Sequence, residues 1–276
     1  MGLVTKDDGW RIPEELWSLL EPLLPPRPAQ PLGCHNPRVP DRDAMNAILF
    51  VLRTGCHWNA LNGTGICSSS SAHRRLLEWT EAGVFEKAWV RALNRYDKLV
   101  GIDWNWLSMD GAMSKAPWGG EKSGPNPTDR AKSGTKRSVI TESAGIPLGL
   151  AVAGANVVDF KLARDTIVSI PIKRPRPTRA CPQGVCLDKG YDYREVEALL
   201  REFRLTGHIA RRGQNVRKLK RNARHKARRW VVERTHSWMN RFRPILVRWE
   251  KRADTYVALL HLVFALITWR ACAAFA

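Results

Sequence analysis

Three acids that lie far apart in sequence, Asp110, Asp188 and Glu233, stand where carboxylates can do chemistry. WNWLSMD alternates and ends in Asp110, and GVCLD is a short apolar run ending in Asp188. Both would sit at the C-terminal ends of strands, the edge where open α/β sheets bind ligands. Glu233 is the one acid between Phe203 and Trp249, a span that holds fifteen Lys and Arg. Spacing around it predicts a helix with Ala227, Val231, Trp238 and Phe242 as an apolar stripe and Arg229, Glu233, His236 and Asn240 on the polar side. A helix packed by that stripe would lean Glu233 over the strand ends. Three converging carboxylates repel unless a divalent cation offsets them, and Mg²⁺ suits such a place because it takes oxygen ligands and shares them with phosphate. Two such ions about 4 Å apart can activate an attacking oxygen and stabilise a leaving one in an in-line phosphoryl displacement.

Taken singly, each acid also has an ordinary role. A strand-end Asp caps a following helix, and a Glu beside Arg forms a solvated ion pair. Asp192 competes with Asp188 on chemistry alone, and Asp103, Asp129, Asp159 and Asp165 are further candidates. The surrounding charge favours the catalytic reading. Residues 211–229 hold ten Lys or Arg and feed directly into the Glu233 helix, so a phosphodiester bound there would be guided toward the acids. The net charge of +19, with a pI near 10.3, attracts polyanions, nucleic acid first and anionic membrane second.

The elements that must position these residues change character along the chain. Residues 1–100 read as helical: PEELWSLLEPLL, then DRDAMNAILFVLRTG after a proline-rich break, then SSSSAHRRLLEWTEAG and VFEKAWVRALNRYDKLV. Short helices joined by a compact turn fit a helix-turn-helix that would place Arg74 and Arg75 against DNA, or an ordinary bundle with a solvated face. From Trp104 the pattern becomes β-β-β-α-β-α-β-α, a mixed α/β domain, with a hairpin at Ala144-Gly145-Ile146 and an irregular surface loop between Ala116 and Thr135. YVALLHLVFALITWRACAAF approaches membrane-spanning length, but His261 and Arg270 interrupt it, so a core-packing terminal helix is expected and no membrane partner. The six cysteines form no CxxC pair; Cys34-His35, Cys56-His57 and Cys67 match no common zinc spacing, and a reducing cytosol is the expected compartment.

At these residues the chain resembles the DDE-type insertion-sequence transposases, close to the insertion sequence 5 family, over nearly its whole length. SMDGAMSKA is similar to the family's first-acid block, GPNPTDRAKSGTKRSVITESAGIPLG to the segment after it, CLDKGYD to the second-acid block and VVERTHSWMNRFRPILVRWEKR to the third. PDRDAMNAILFVLRTGCHWNAL and SSAHRRLLEW resemble the helical entry domain. Related transposases carry a Tyr-x2-Arg-x3-Glu-x6-Lys signature; this chain keeps Arg229 and Glu233 but has Lys226 at the Tyr position and Asn240 at the Lys position, with Arg241 as a stand-in.

The resemblance implies a ribonuclease H-like fold with a mixed five-stranded sheet: a helical DNA-binding domain at 1–100, the catalytic domain at 101–254 and a packing helix at 255–276. It implies that Asp110, Asp188 and Glu233 hold two Mg²⁺ ions, with Mn²⁺ as a substitute, and so prefers Asp188 to Asp192. The implied activity is cutting at the ends of an insertion sequence, followed by attack of the freed 3′-OH on target DNA. Arg229 would neutralise phosphate, and Arg130, Lys132, Lys136 and Arg137 would contact terminal DNA. The expected partners are the terminal inverted repeats, target DNA and a second copy or larger assembly, at the nucleoid in the bacterial cytoplasm. A metal-dependent nuclease of the same fold and a DNA-binding regulator derived from a transposase are the rival readings.

Overall fold

The computed structural model describes residues 9–26, 38–209 and 230–273. The basic run at 211–229, including Arg229 and Lys226, lies outside the described residues, as do Cys34 and His35. Helices α1 (Glu14–Leu20), α2 (Asp41–Thr54), α3 (Ser69–Glu81) and α4 (Val84–Leu99) form the N-terminal part. Ser68 caps α3 with its own hydroxyl, which accepts from the Ser71 amide at 3.2 Å. The linkage from α2 to α3 is no compact turn, because it runs from Gly55 to Ser68 and contains a 3-10 helix at Trp58–Gly63. The short turn, Ala82-Gly83, follows α3 instead and joins it to α4.

The sheet has six strands among the described residues: β1 (Trp106–Lys115), β2 (Gly124–Pro125), β3 (Ser133–Thr141), β4 (Pro147–Gly154), β5 (Gly184–Leu187) and β6 (Thr206–Ile209). The two-residue β2 adds to the five expected, because the Gly/Pro-rich loop folds back on the start of β3. β3 lies between β4 and β1 in antiparallel pairing, and β5 and β6 continue from β1 in parallel. β1 therefore has antiparallel pairing on one side and parallel on the other. The strand does not end at Asp110 as its alternation suggested: pairing with β3 runs on to Lys115 opposite Gly134, while pairing with β5 stops at Ser108 opposite Cys186.

Helices α5 (Asp159–Val168) and α6 (Arg194–Glu202) are crossovers between strands; α7 (Trp230–Met239), α8 (Arg243–Leu246) and α9 (Ala253–Ala273) follow β6. Helix α9 is long and apolar enough to cross a membrane, but it is mostly buried and packs along α4. Trp89 of α4 fixes this contact: its ring stacks on His261 at 5.3 Å, meets Phe264 edge-on at 5.1 Å, and its indole N–H donates to the Pro147 carbonyl of β4. One apolar core runs from Ile12 through α4 and the sheet to Cys272.

Burial against Trp89 pushes the His261 imidazole down from 6.5 to about 4. A histidine with a lowered folded-state value stabilises the fold above its unfolded value of 6.5 and loses that contribution as pH falls toward 4. His261→Phe should therefore flatten the acid limb. The expected gain over wild type is about 2 kcal/mol at pH 5 relative to pH 7.5, measured by urea unfolding; equal pH dependence of the two proteins would refute it.

Candidate active site

Strand register gives Asp110 and Asp188 equivalent places beyond the paired part of β1 and β5. Trp106, Leu107 and Ser108 pair in parallel with Gly184, Val185 and Cys186, so continuing the register two residues sets Asp110 beside Asp188. Residues at one level of adjacent parallel strands point to the same face, with about 4.8 Å between strands. Each carboxylate is braced locally through one oxygen: Asp110 Oδ1 accepts from the Gly111 amide at 2.9 Å and Asp188 Oδ1 from the Gly190 amide at 2.7 Å. Tyr191, which follows Asp188 in the short 3-10 helix, is buried. Its hydroxyl is driven well above the ordinary phenol range by burial first, then by the negative charges of Asp159 and Asp110, with Asp188 adding a smaller push in the same direction.

Asp159 approaches from the other face of the sheet. It pairs with Lys136 at 3.0 Å, and a Cβ at position 111 would run into its carboxylate, which is why the residue after Asp110 is Gly. Asp192 is half-buried and follows the short 3-10 helix that Asp188 caps.

Helix α7 lies across β1 and β3, held at both ends. At the β3–β4 hairpin tip the Thr235 hydroxyl donates to the Gly145 carbonyl at 2.6 Å and Arg234 to the Ala144 carbonyl at 2.5 Å. The tip itself is shaped by buried Glu142, whose carboxylate accepts from the amides of Ala144 and Ile146 and is raised in pKa by that burial. Arg234 also sits between two indoles, 4.8 Å from the ring centre of Trp230 and 4.8 Å from that of Trp238. At the other end of α7, Arg137 donates to Asn240 Oδ1 at 2.9 Å.

The buried face of α7 differs from the expected stripe. It is Val231, Val232, Thr235, His236 and Met239, with Trp238 only half-buried. His236 thus leaves the polar side assigned to it. Its Nε2 lies 3.4 Å from the Asp110 carbonyl oxygen, and burial, reinforced by Arg137, lowers its pKa to about 3, so the ring is neutral. Glu233, one turn earlier on α7, is exposed. Among the described residues no three His, Cys, Asp or Glu side chains are close enough together to hold a metal ion.

The cations assigned to DNA divide sharply. Arg74, Arg130, Lys132 and Arg241 are exposed. Arg75, Lys136 and Arg137 are buried and engaged inside the protein, Arg75 with Glu78, Lys136 with Asp159 and Arg137 with Asn240 and the Ile245 carbonyl. These three face other elements of the fold, not a ligand surface. Charge in a sequence does not reveal which lysine or arginine points inward. The roles of Thr235, Arg234, Gly145 and Glu142 were equally hidden, since only the hairpin, and not its docking on a later helix, shows in local spacing.

Two family models match. One, described as "Putative transposase of IS4/5 family", covers residues 12–89, and the other, "Transposase DDE domain", covers residues 98–268. The chain belongs to the DDE transposase family. Relatives agree: "Putative transposase for insertion sequence element IS402" of Burkholderia cepacia is 40% identical over 159 residues, 55% of this chain and 71% of that protein. "Insertion element IS402 uncharacterized 16.2 kDa protein" of the same organism is 38% identical over 120 residues, 42% of this chain and 80% of that protein. A crystal structure of the Mos1 mariner paired end complex with Mn aligns with 95% of this chain and 86% of that chain at 11% identity, but its TM-score of 0.27 is too low to bear on the fold. In this DDE transposase the segment matched by the DDE model holds the mixed sheet and its flanking helices.

The docking of α7 on the hairpin can be tested at Gly145, whose φ is +87° and whose added Cβ would come within 3.0 Å of Thr235 Oγ1 and 3.2 Å of Arg234. Gly145→Ala should destabilise the protein by about 1–3 kcal/mol in denaturant unfolding. An unchanged midpoint would mean that the contact does not hold α7.

Proposed function

We propose that this transposase cuts DNA at the ends of an insertion sequence and joins the freed 3′-OH to target DNA, with Asp110, Asp188 and Glu233 as the acids that carry the reaction. The observation that supports this most is the register placing Asp110 and Asp188 at one level on one face of the sheet, with α7 crossing the same face. The donor set suits Mg²⁺ or Mn²⁺ because it is all carboxylate. When bound, such ions supply Lewis acidity to the attacking and leaving oxygens of a phosphodiester. Glu233, carried on the exposed side of α7, would be the third carboxylate offered to such ions.

The chain's own residues prepare this. Local amide bonds orient the two aspartates, neutral His236 holds α7 on the Asp110 carbonyl without adding positive charge, and the net charge of +19 draws in DNA. Arg74, Arg130, Lys132 and Arg241, all exposed, are the contacts we propose for the DNA backbone, together with Arg229. The helical region at residues 1–100 contributes to recognition of the ends. Two ends must meet, so the working form is a homodimer or larger assembly on DNA.

Asp110→Ala, Asp188→Ala and Glu233→Ala should each lower cleavage of cognate ends at least about 10³-fold while DNA affinity holds within a few-fold. Full activity in Asp188→Ala would remove the assignment. Hydrolysis without joining of a 3′-OH end to a second duplex would favour a nuclease, and no Mg²⁺-dependent cleavage at all would favour a regulator. For the phosphate contacts, Arg130→Ala and Lys132→Ala should each weaken binding across sequences and reduce the slope of log K against log salt by about 1. A salt slope equal to wild type in both would exclude them.

A further inference from the structure

Arg137 is an unusual cation. It is 1% exposed, its Nε has no hydrogen-bond partner, and no carboxylate pairs with it among the described residues. A buried guanidinium without a counter-charge is costly, so its position demands a reason. Its two remaining nitrogens reach neutral acceptors on the far side of α7: Nη1 donates to the Ile245 carbonyl at 3.0 Å and Nη2 to Asn240 Oδ1 at 2.9 Å. The Ile245 carbonyl is fixed independently by the Ser114 hydroxyl of β1 at 3.0 Å. Arg137 pairs across the sheet with Ala112, two residues beyond Asp110, and therefore projects on the face that carries Asp110.

The residue it grips has a definite relation to the acids. Glu233, His236 and Asn240 follow i, i+3, i+7 spacing and share one stripe of α7, which the Asn240 amide extends by donating to the His236 carbonyl. His236 meets the Asp110 carbonyl and Asn240 meets Arg137, so two of the three positions are tied to the sheet. A lysine ammonium at position 240 would be forced against the buried guanidinium.

We propose that Arg137 and Asn240 form a clasp between β3 and the end of α7 that sets the rotation of α7 and hence the position of Glu233 over Asp110. Arg137 is then a positioning residue. The proposal rests on reading Asp110, Asp188 and Glu233 as the cutting acids.

The test uses the full chain with cognate end DNA, and Mn²⁺ binding by electron paramagnetic resonance as a readout independent of turnover. Asn240→Asp keeps an acceptor for the guanidinium and should cleave like wild type. Asn240→Lys and Arg137→Met should lower kcat about 10²-fold with KM for end DNA unchanged, the size expected for a displaced reacting group. Both should also weaken Mn²⁺ binding as much as Glu233→Gln measured alongside. Arg137→Gln combined with Asn240→Lys removes the clash and should recover at least about tenfold of the loss. A higher KM with unchanged kcat in Arg137→Met would make Arg137 a DNA contact and overturn the clasp. Wild-type kcat and Mn²⁺ affinity in Asn240→Lys, with Glu233→Gln impaired, would also overturn it while leaving the acid assignment standing. If Glu233→Gln binds Mn²⁺ and cleaves like wild type, the acid assignment itself has failed, and the clasp falls with it.

Discussion

Two carboxylates held side by side would repel, and the parallel pairing of β1 with β5, which ends at Ser108 and Cys186, leaves Asp110 and Asp188 each two residues past its last paired level. The rest of the α/β part can be understood as support for this arrangement. The pairing needs β1 in the middle of the sheet, which the antiparallel β3 and β4 secure on one side and β6 extends on the other. Local amides take one oxygen from each acid, and Tyr191 fills the space beneath with an uncharged ring. Lys136 answers Asp159 from the opposite face, so that this fourth acid does not add to the crowding unopposed.

Glu233 sits on the exposed side of α7, a helix that follows the crossovers in sequence and is tied down by neighbouring side chains. Thr235 and Arg234 hook the first half of α7 onto the hairpin tip, His236 meets the Asp110 carbonyl, and Asn240 is held from below by Arg137. Neutral groups predominate here. A charged imidazole against Arg137 would push α7 away from the strand it must cover, and burial prevents that.

The strands, the hairpin and most helices were legible in the sequence because their periodicities are local. Asp110 and Asp188 were legible as strand-end acids for the same reason, although β1 runs past Asp110 where only one neighbour remains. The face of α7 was not. With Val231, Val232 and Met239 apolar and Thr235 and His236 buried beside them, the stripe is set by what the helix lies on, and a carbonyl acceptor from Asp110 makes a polar ring acceptable inside. The burial of Arg75, Lys136 and Arg137 was hidden for a related reason: each finds its partner in the folded chain, at Glu78, Asp159 or Asn240, and composition carries no trace of that. The compact turn was likewise expected one helix too early, since serine-rich stretches signal a helix start without giving the length of the link before it.

The apolar interior passes without a break from α1 through α4 to α9, with Trp89 touching His261, Phe264 and β4 at once. Two segments that match separate family models therefore share one apolar interior. Removing the helices α1 to α4 would bare the apolar face that α9 buries against α4.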